Sequence, residues 1–481
     1  MKRSYNMLPF IKQVLLAEIR QLMRSTILPV LMSIFFVAAA IALLYGRSVS
    51  LSQRATLDSL QADYRQQYAK LYGQLEADTS TPKGKTDRIA ATNPAVVDFR
   101  LHRSVYHQPG MFSLLSIGMS DIARYYYPIS VKGGYVPVEE KVNNPEQLLS
   151  GNFDVAFLFI YLLPLMAICL SYNLLSQEKE QGTLSLLLVQ HGSITRILLI
   201  RLLVRYLILV AGIIVISIAG ILIAPAGNNS SWRELPAWLG VCSAYIAFWM
   251  SLIWFILSWN AAAAVNLISM LAAWLLLLIV IPAECRFMAN QSYTDQTAGN
   301  ASQQREIAWE TWELPQKQLL DSFYTAYPQY RNQQAYDTGA TSSRRAMAYY
   351  ELVARRMQRI IDIQASAQQK NMQAVKASFY YNPAVYAQTL LNNIAHTDVG
   401  DYDQFREQAD VFRSKWKHFF YQLHFNDQLF TAATYKALPD YSPVYGPNVP
   451  AQWQRGPIYL LLLGAGWLTA GMIVFKSKSL K

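Results

Sequence analysis

Six apolar runs, at roughly 27–46, 153–175, 204–224, 237–258, 262–283 and 456–475, constrain what this chain can fold into more than any other feature. An α-helix rising 1.5 Å per residue needs about 20 apolar residues to cross the hydrocarbon of a bilayer, and each run approaches or exceeds that length. The expected fold is an all-α polytopic membrane protein with six transmembrane helices. Orientation follows from the charges beside them. Lys2, Arg3, Lys12, Arg20 and Arg24 precede the first run, Lys179, Arg196, Arg201 and Arg205 separate the second from the third, and Lys476, Lys478 and Lys481 follow the sixth. The positive-inside rule then puts both termini and the 176–203 loop in the cytoplasm. Six is even, so the two ends agree.

The net charge of +11 invites a nucleic-acid reading, but its distribution argues against one. The long polar regions 47–152 and 285–455 carry 12 basic against 10 acidic and 17 against 15 residues, nearly balanced. The excess sits beside the apolar runs, where it reports topology. Three cysteines, Cys169, Cys242 and Cys285, are too few for a disulfide framework. The first run is too long, and too far from the start of the chain, to read as a cleaved signal peptide. Ahead of it, Phe10, Ile11, Val14, Leu15, Ile19 and Leu22 recur at helical spacing opposite Lys12, Arg20 and Arg24. Residues 1–26 are therefore expected to form an amphipathic helix in the cytoplasmic interface.

The two polar regions make up more than half of the chain and are expected outside, as two large, mainly helical domains after helices 1 and 5. Leu57, Leu60, Tyr64, Tyr68, Leu71 and Leu75 step by three and four, so a helix should continue outward from the first span. Pro82 and Gly84 mark a loop. Tyr125, Tyr126 and Tyr127 are consecutive and cannot all face one core. In the second region Met347, Tyr350, Val353, Met357, Ile360, Ile361 and Gln364 keep a helical stripe, and no dense strand alternation appears. The 258–264 link is short enough to be a tight cytoplasmic turn, and 476–481 is a cytoplasmic tail.

Between the second and third spans lies Glu178-Lys179-Glu180-Gln181-Gly182-Thr183-Leu184. Gly182 suits a left-handed helix stop and Thr183 an N-cap for a new, short apolar helix reaching Val189. The plainer reading is a helix connection whose charges mark the interface. The pattern resembles the first cytoplasmic loop of ABC-2 type transporter permeases, where acidic-x-acidic-x-Gly-Thr-Leu precedes the coupling helix. Gly151-Asn152-Phe153-Asp154, Ile160-Tyr161-Leu162-Leu163-Pro164-Leu165 and Ser171-Tyr172-Asn173-Leu174-Leu175-Ser176 are similar to the subgroup with large external insertions and a domain of unknown function. So are Pro109 to Asp121, with its Gly-x-Ser-Asp, and Asn382-Pro383, His396-Thr397-Asp398, Phe405, Phe412 and Arg413. One departure is that His396 stands where a glycine often precedes Thr-Asp. The resemblance spans roughly 100–200 and 375–420 plus the six-span layout.

The resemblance implies ATPase coupling through Glu178, Glu180, Gly182, Thr183 and Leu184, and an N-terminal helix that helps to contact the ATPase. It also suggests external functional positions at Asp121, Tyr125, Thr397 and Asp398. Asp154 and Glu284, at outer span ends, and Asn173 and Asn266, within spans, are the candidates for a translocation path or exit. The spans' polar inventory is otherwise Ser251 and Ser269, beside Trp249, Trp254 and Trp274, which suits a hydrophobic or amphipathic substrate; ordinary helix packing is the plainer account. No Gly-x-x-x-x-Gly-Lys-Ser/Thr occurs, so no cofactor is expected on this chain; ATP and Mg belong to a partner ATPase. His102 and His107, and His418 and His424, are poorly spaced for one helix face, and no metal site or catalytic residue is expected.

The expected assembly is two ATPase chains with two permease chains, as a homodimer or a related heterodimer, in a bacterial cytoplasmic (inner) membrane. Its large domains would face the periplasm, where a periplasmic or outer-membrane partner is a further expectation; no nucleic acid is. The leading function is ATP-driven export, this chain being no enzyme by itself. The alternative is a mechanotransmission subunit whose external domains act on an outer partner. A membrane-anchored receptor without ATPase is the third reading, and the Glu178–Leu184 run argues against it.

Overall fold

The computed structural model describes residues 7–101, 103–131, 153–182, 194–225, 232–284, 297–331, 344–358, 381–443 and 450–479. Thr183 and Leu184, with the expected coupling helix, lie outside the described residues. Among the described residues, six helices are long and apolar enough to cross a membrane: Ile27–Gln74, Val155–Glu180, Ile194–Ile223, Trp232–Leu257, Ala263–Glu284 and Arg455–Ser477. The chain is mostly helical, as expected. The second and fourth spans form the centre of the bundle, with 67% and 72% of their apolar windows buried, against 17% for the fifth and sixth. The fourth and sixth pack most closely, and Gly471 shows how. A Cβ there would meet Trp254 Nε1 at 2.5 Å, so only a glycine lets the indole lie against that backbone.

Two spans contain a π-turn, Leu158–Leu162 in the second and Leu276–Val280 in the fifth. The wider turn diverts backbone carbonyls from their usual i+4 donors, and each needs another donor inside an apolar bundle. Tyr245 donates its hydroxyl to the Ile160 carbonyl (3.0 Å) and Trp274 its indole N–H to that of Tyr161 (3.1 Å). Asn382 Nδ2 donates to the Leu277 carbonyl at 2.6 Å. Asn382 also N-caps the helix Pro383–Ala395, its Oδ1 accepting from Ala384 N at 2.9 Å. That helix belongs to the second polar region in sequence, yet Ala384, Ala387, Leu390, Leu391 and Ile394 are buried in the same core as the spans.

The first span does continue outward: Ile27–Gln74 is one unbroken helix of 48 residues, about 72 Å long. Its far half carries the expected stripe, with Leu71 buried and Tyr64, Tyr68 and Leu75 packed against a second hydrophobic core. That core joins Val97, Leu101, Val105 and Tyr127 to Leu320, Phe323, Phe405, Phe412, Trp416 and Phe420. The two polar regions are therefore two in sequence and one body in space. Asp98 anchors it, accepting from Trp416 Nε1 (2.9 Å) and Val131 N (3.1 Å) while 4% exposed. A small antiparallel ribbon, β1 (Arg103–Tyr106) and β2 (Tyr126–Ile129), pairs Tyr106 with Tyr126. Strand alternation settles the tyrosine run: Tyr127 stacks on Phe405 in the core while Tyr126 turns partly outward.

Candidate functional site

The two ends of the bundle hold the residues singled out in the sequence. At the end away from the polar body, the second span closes with Ser176–Glu180 and stops at Gly182. Gly182 has φ +68°, a backbone conformation that calls for glycine, and a Cβ added there would meet nothing within 4 Å among the described residues. Glu180 is exposed. Glu178 is not: it accepts from Arg201 Nη2 at 2.8 Å. Arg201 Nε lies 3.1 Å from Glu18 Oε2, and Arg205 Nη1 lies 2.5 Å from Glu18 Oε1. Four charges, two of each sign, form one cluster joining the helix Met7–Arg24 to the second and third spans. Arg205 and Glu18 are 6% and 4% exposed. From sequence alone Arg205 reads as an interfacial charge and the spans as nearly uncharged. In the structure the third span begins at Ile194, and Arg205 is buried on its fourth turn, where pairing with Glu18 offsets its desolvation.

Glu18 does not stand out in the sequence, though a signal is there. Leu15, Glu18 and Leu22 fall at i, i+3 and i+7 on one face, so a single carboxylate interrupts the apolar stripe of an amphipathic helix. Leu22 is buried, whereas Leu16, Ile19 and Met23 are exposed.

At the other end, the segment from Met111 to Asp121 dips from the polar body onto the span ends. Its backbone is met from every side. The Ile117 N–H donates to Asp154 Oδ2 at 2.8 Å, and the Phe157 N–H to Asp154 Oδ1 at 2.7 Å, so Asp154 caps the second span and docks the segment at once. The Ala156 N–H donates to the Leu115 carbonyl (2.9 Å), and the Met119 N–H to the Thr397 carbonyl (2.9 Å). Thr397 Oγ1 donates to the Ser116 carbonyl at 3.1 Å. Gln53 Nε2, on the long first helix, reaches the Ser120 carbonyl at 2.8 Å, and Tyr402 donates to Ser120 Oγ at 3.0 Å. Gly118 sits at φ +51° with the Thr397 carbonyl 2.6 Å from where a Cβ would be.

His396 stands at a backbone turn that favours glycine. It closes the helix Pro383–Ala395 at φ +56° and ψ +40°, a left-handed cap that glycine adopts without cost. Here the ring is held by two carboxylates, Glu234 at 3.7 Å from Nε2 and Asp401 at 3.6 Å from Nδ1. Burial would lower the imidazole pKa, but Asp401 and Glu234 outweigh it and raise it to about 9. The His396 carbonyl lies 3.1 Å from His107 Nε2; a carbonyl only accepts, so that nitrogen carries the proton. Burial lowers the His107 pKa. Glu234 lies in the first turn of the fourth span, and Asp401 stands in the first turn of Val399–Phe425, whose N-cap Asp398 forms a capping box with it.

The fold thus brings Asp154, Thr397 and Asp398 to one junction. Asp121 and Tyr125 lie beside it; burial raises the Tyr402 hydroxyl pKa, and the nearby carboxylates of Asp401 and Asp121 add to it. At the opposite end Asn266 Nδ2 is 3.5 Å from the Tyr172 carbonyl, and Asn173 pairs with Gln177 at 3.1 Å. Glu284 is exposed at the end of the fifth span. Of the histidines, His418 lies 3.0 Å from the Tyr330 hydroxyl, and burial, with Arg344 nearby, lowers His424 to about 4. Within the polar body Glu351 is a further buried charge, accepting from Tyr327 (2.7 Å), Tyr421 (3.0 Å) and Lys417 (3.0 Å).

Residues 298–443, which hold the His396–Asp401 step and the Glu351 cluster, match the family model described as a domain of unknown function, DUF3526. This is a multi-pass membrane protein carrying a DUF3526 domain. No curated protein and no solved structure matches the chain. The DUF3526 region ends short of the sixth span and excludes the Glu178–Gly182 segment. It supplies one side of the junction, Thr397 and Asp398, while 111–121 and Asp154 supply the other.

Proposed function

We propose that this protein is the membrane-spanning subunit of an ATP-driven ABC-2 type transporter, exporting a hydrophobic or amphipathic substrate with a separate ATPase chain. One observation carries the reading. Glu180 and Gly182 are presented, exposed, on a short helical end at the pole opposite the polar body, on a mount of ion pairs that runs from half-buried Glu178–Arg201 to buried Arg205–Glu18. An ATPase docked there would push on the second and third spans together, and closure of the ATPases would bias two packings of the bundle. The chain has no phosphate-binding loop, which is why the ATPase must be a partner. The same reading puts the protein in a bacterial cytoplasmic membrane, as two permease chains with two ATPases, the polar body outside.

The test is recovery of a nucleotide-binding chain with the affinity-tagged protein after mild extraction from its native host. Replacing exposed Glu180 by Lys, which leaves the Glu178–Arg201 pair in place, should dissociate or uncouple that ATPase while the permease stays folded. Gly182→Val should be at least as damaging, since a β-branched residue is strongly disfavoured at φ +68°. Tagged protein that always emerges alone, or variants with wild-type coupling, would end the transporter reading. A second reading has its own support. The first span runs without a break into the core of the polar body, a stiff connection suited to carrying force to an outer partner. Photo-crosslinking of substrate within the spans favours export; labelling confined to the polar body favours force transmission.

A further inference from the structure

The second span changes its hydrogen bonding just before the Glu178 segment. The Leu174 N–H turns to the Ser171 carbonyl, at 3.3 Å, instead of continuing the ladder to Leu170. A carbonyl released inside a bundle is costly unless a donor reaches it. Arg205 does so, its Nε 2.7 Å from the Leu170 oxygen, while its Nη1 donates to the Arg201 carbonyl at 3.0 Å. One turn earlier on the same helix, Arg201 holds Glu178, which lies beyond the irregular turn. The third span therefore grips the second on both sides of that turn. Glu18 reaches both guanidiniums at once from a different helix.

We propose that Glu18 is a positioning residue for the partner contact: by bridging Arg201 and Arg205 it makes the helix Met7–Arg24 and the segment 176–182 one mechanical unit. The partner in this statement rests on the function proposed above; the mechanical unit does not. Without Glu18 the guanidiniums of buried Arg205 and half-buried Arg201 face one carboxylate, and the excess charge draws Arg205 toward water and away from the Leu170 carbonyl. The turn at 172–175 then loses the tie from Arg205 to the Leu170 carbonyl on its near side, and the two elements that meet the partner move separately.

Spin labels at Gln21 and Gln181, both exposed, read the unit directly in the full chain in lipid nanodiscs without a partner. The expected result is one narrow distance distribution, broadened in Glu18→Gln and narrow again in Glu18→Asp, which keeps the carboxylate. Leu22→Ala, which removes packing but no charge, should leave it narrow. An unchanged distribution in folded Glu18→Gln overturns the proposal. If that variant does not fold, Arg205→Lys carries the same test, since an ammonium cannot hold Glu18 and the Leu170 carbonyl in one plane; broadening supports the unit and no change overturns it. In the complex, Glu18→Gln should lower kcat for ATP about ten-fold with KM unchanged, restored by Asp. Broadening with unaltered hydrolysis overturns the role in the partner contact. Recovery of no ATPase at all overturns the proposed function and leaves the mechanical unit to the distance measurement.

Discussion

At position 396 a histidine occupies a backbone conformation that glycine would take for nothing, and its ring repays the strain through Glu234 and Asp401. The charged imidazole is the form they stabilise. Its pKa is about 9 in the fold against an ordinary 6.5, so the contribution is fully present below pH 6.5 and is lost as pH rises through 9. Melts of wild type and His396→Gly, which keeps the cap but loses the ring, should differ most near pH 6 and converge above pH 9.5. The gap at low pH should reach up to about 3 kcal/mol, less what glycine recovers at the cap. A difference independent of pH would exclude the ion pairs as its source. Glu351 has the opposite sign: burial alone would raise its carboxyl, but Lys417 and the tyrosine hydroxyls hold it below the ordinary range. Its stabilisation is present above pH 4.5 and fades as pH falls through the depressed value, so Glu351→Gln should cost most at neutral pH. Gly118→Ala meets both a positive φ and the Thr397 carbonyl, and should lower stability by about 2 kcal/mol or more, read as a fall in Tm.

Among elements, the pairing of the fourth and sixth spans depends on small residues where lipid offers no hydrophobic drive. Gly471→Leu would push Trp254 from its place, breaking its N–H bond to the Leu468 carbonyl, now 3.2 Å. A loss of about 1–3 kcal/mol or outright misfolding is expected. Gly466→Leu, with nothing within 4 Å of its Cβ, should melt like wild type, and equal behaviour of the two variants would show that this contact does not hold the pair. The helix Pro383–Ala395 is an element of the same kind. Asn382→Leu should cost about 1–3 kcal/mol, because it removes a helix cap and strands the Leu277 carbonyl in an apolar setting.

For the whole molecule, the polar body and the Glu178–Gly182 segment should lie on opposite sides of the membrane. The second span joins them over 26 residues, about 39 Å of helix. In a chain with Cys169, Cys242 and Cys285 replaced, a cysteine at exposed Ser80 should react with an impermeant reagent from outside, and one at exposed Gln181 only after the membrane is opened. The reverse pattern would invert the orientation inferred from the flanking lysines and arginines.

The six spans, the outward continuation of the first helix and the left-handed stop at Gly182 were all legible in the sequence, because each follows from local chemistry: apolar run length, helical spacing, and the one residue that bears a positive φ freely. The junction was half legible. Pro109 to Asp121 and His396 to Asp398 stood out separately, but nothing local says that residues nearly 300 apart share hydrogen bonds. The same is true of Glu18 with Arg201 and Arg205, where each charge alone reads as an interfacial one. Burial is a property of what packs around a residue, and pairing a property of what arrives from elsewhere in the chain. Only the tertiary structure decided that two polar regions build one core, that a helix of the second lies in the bundle, and that four charges balance at its far end.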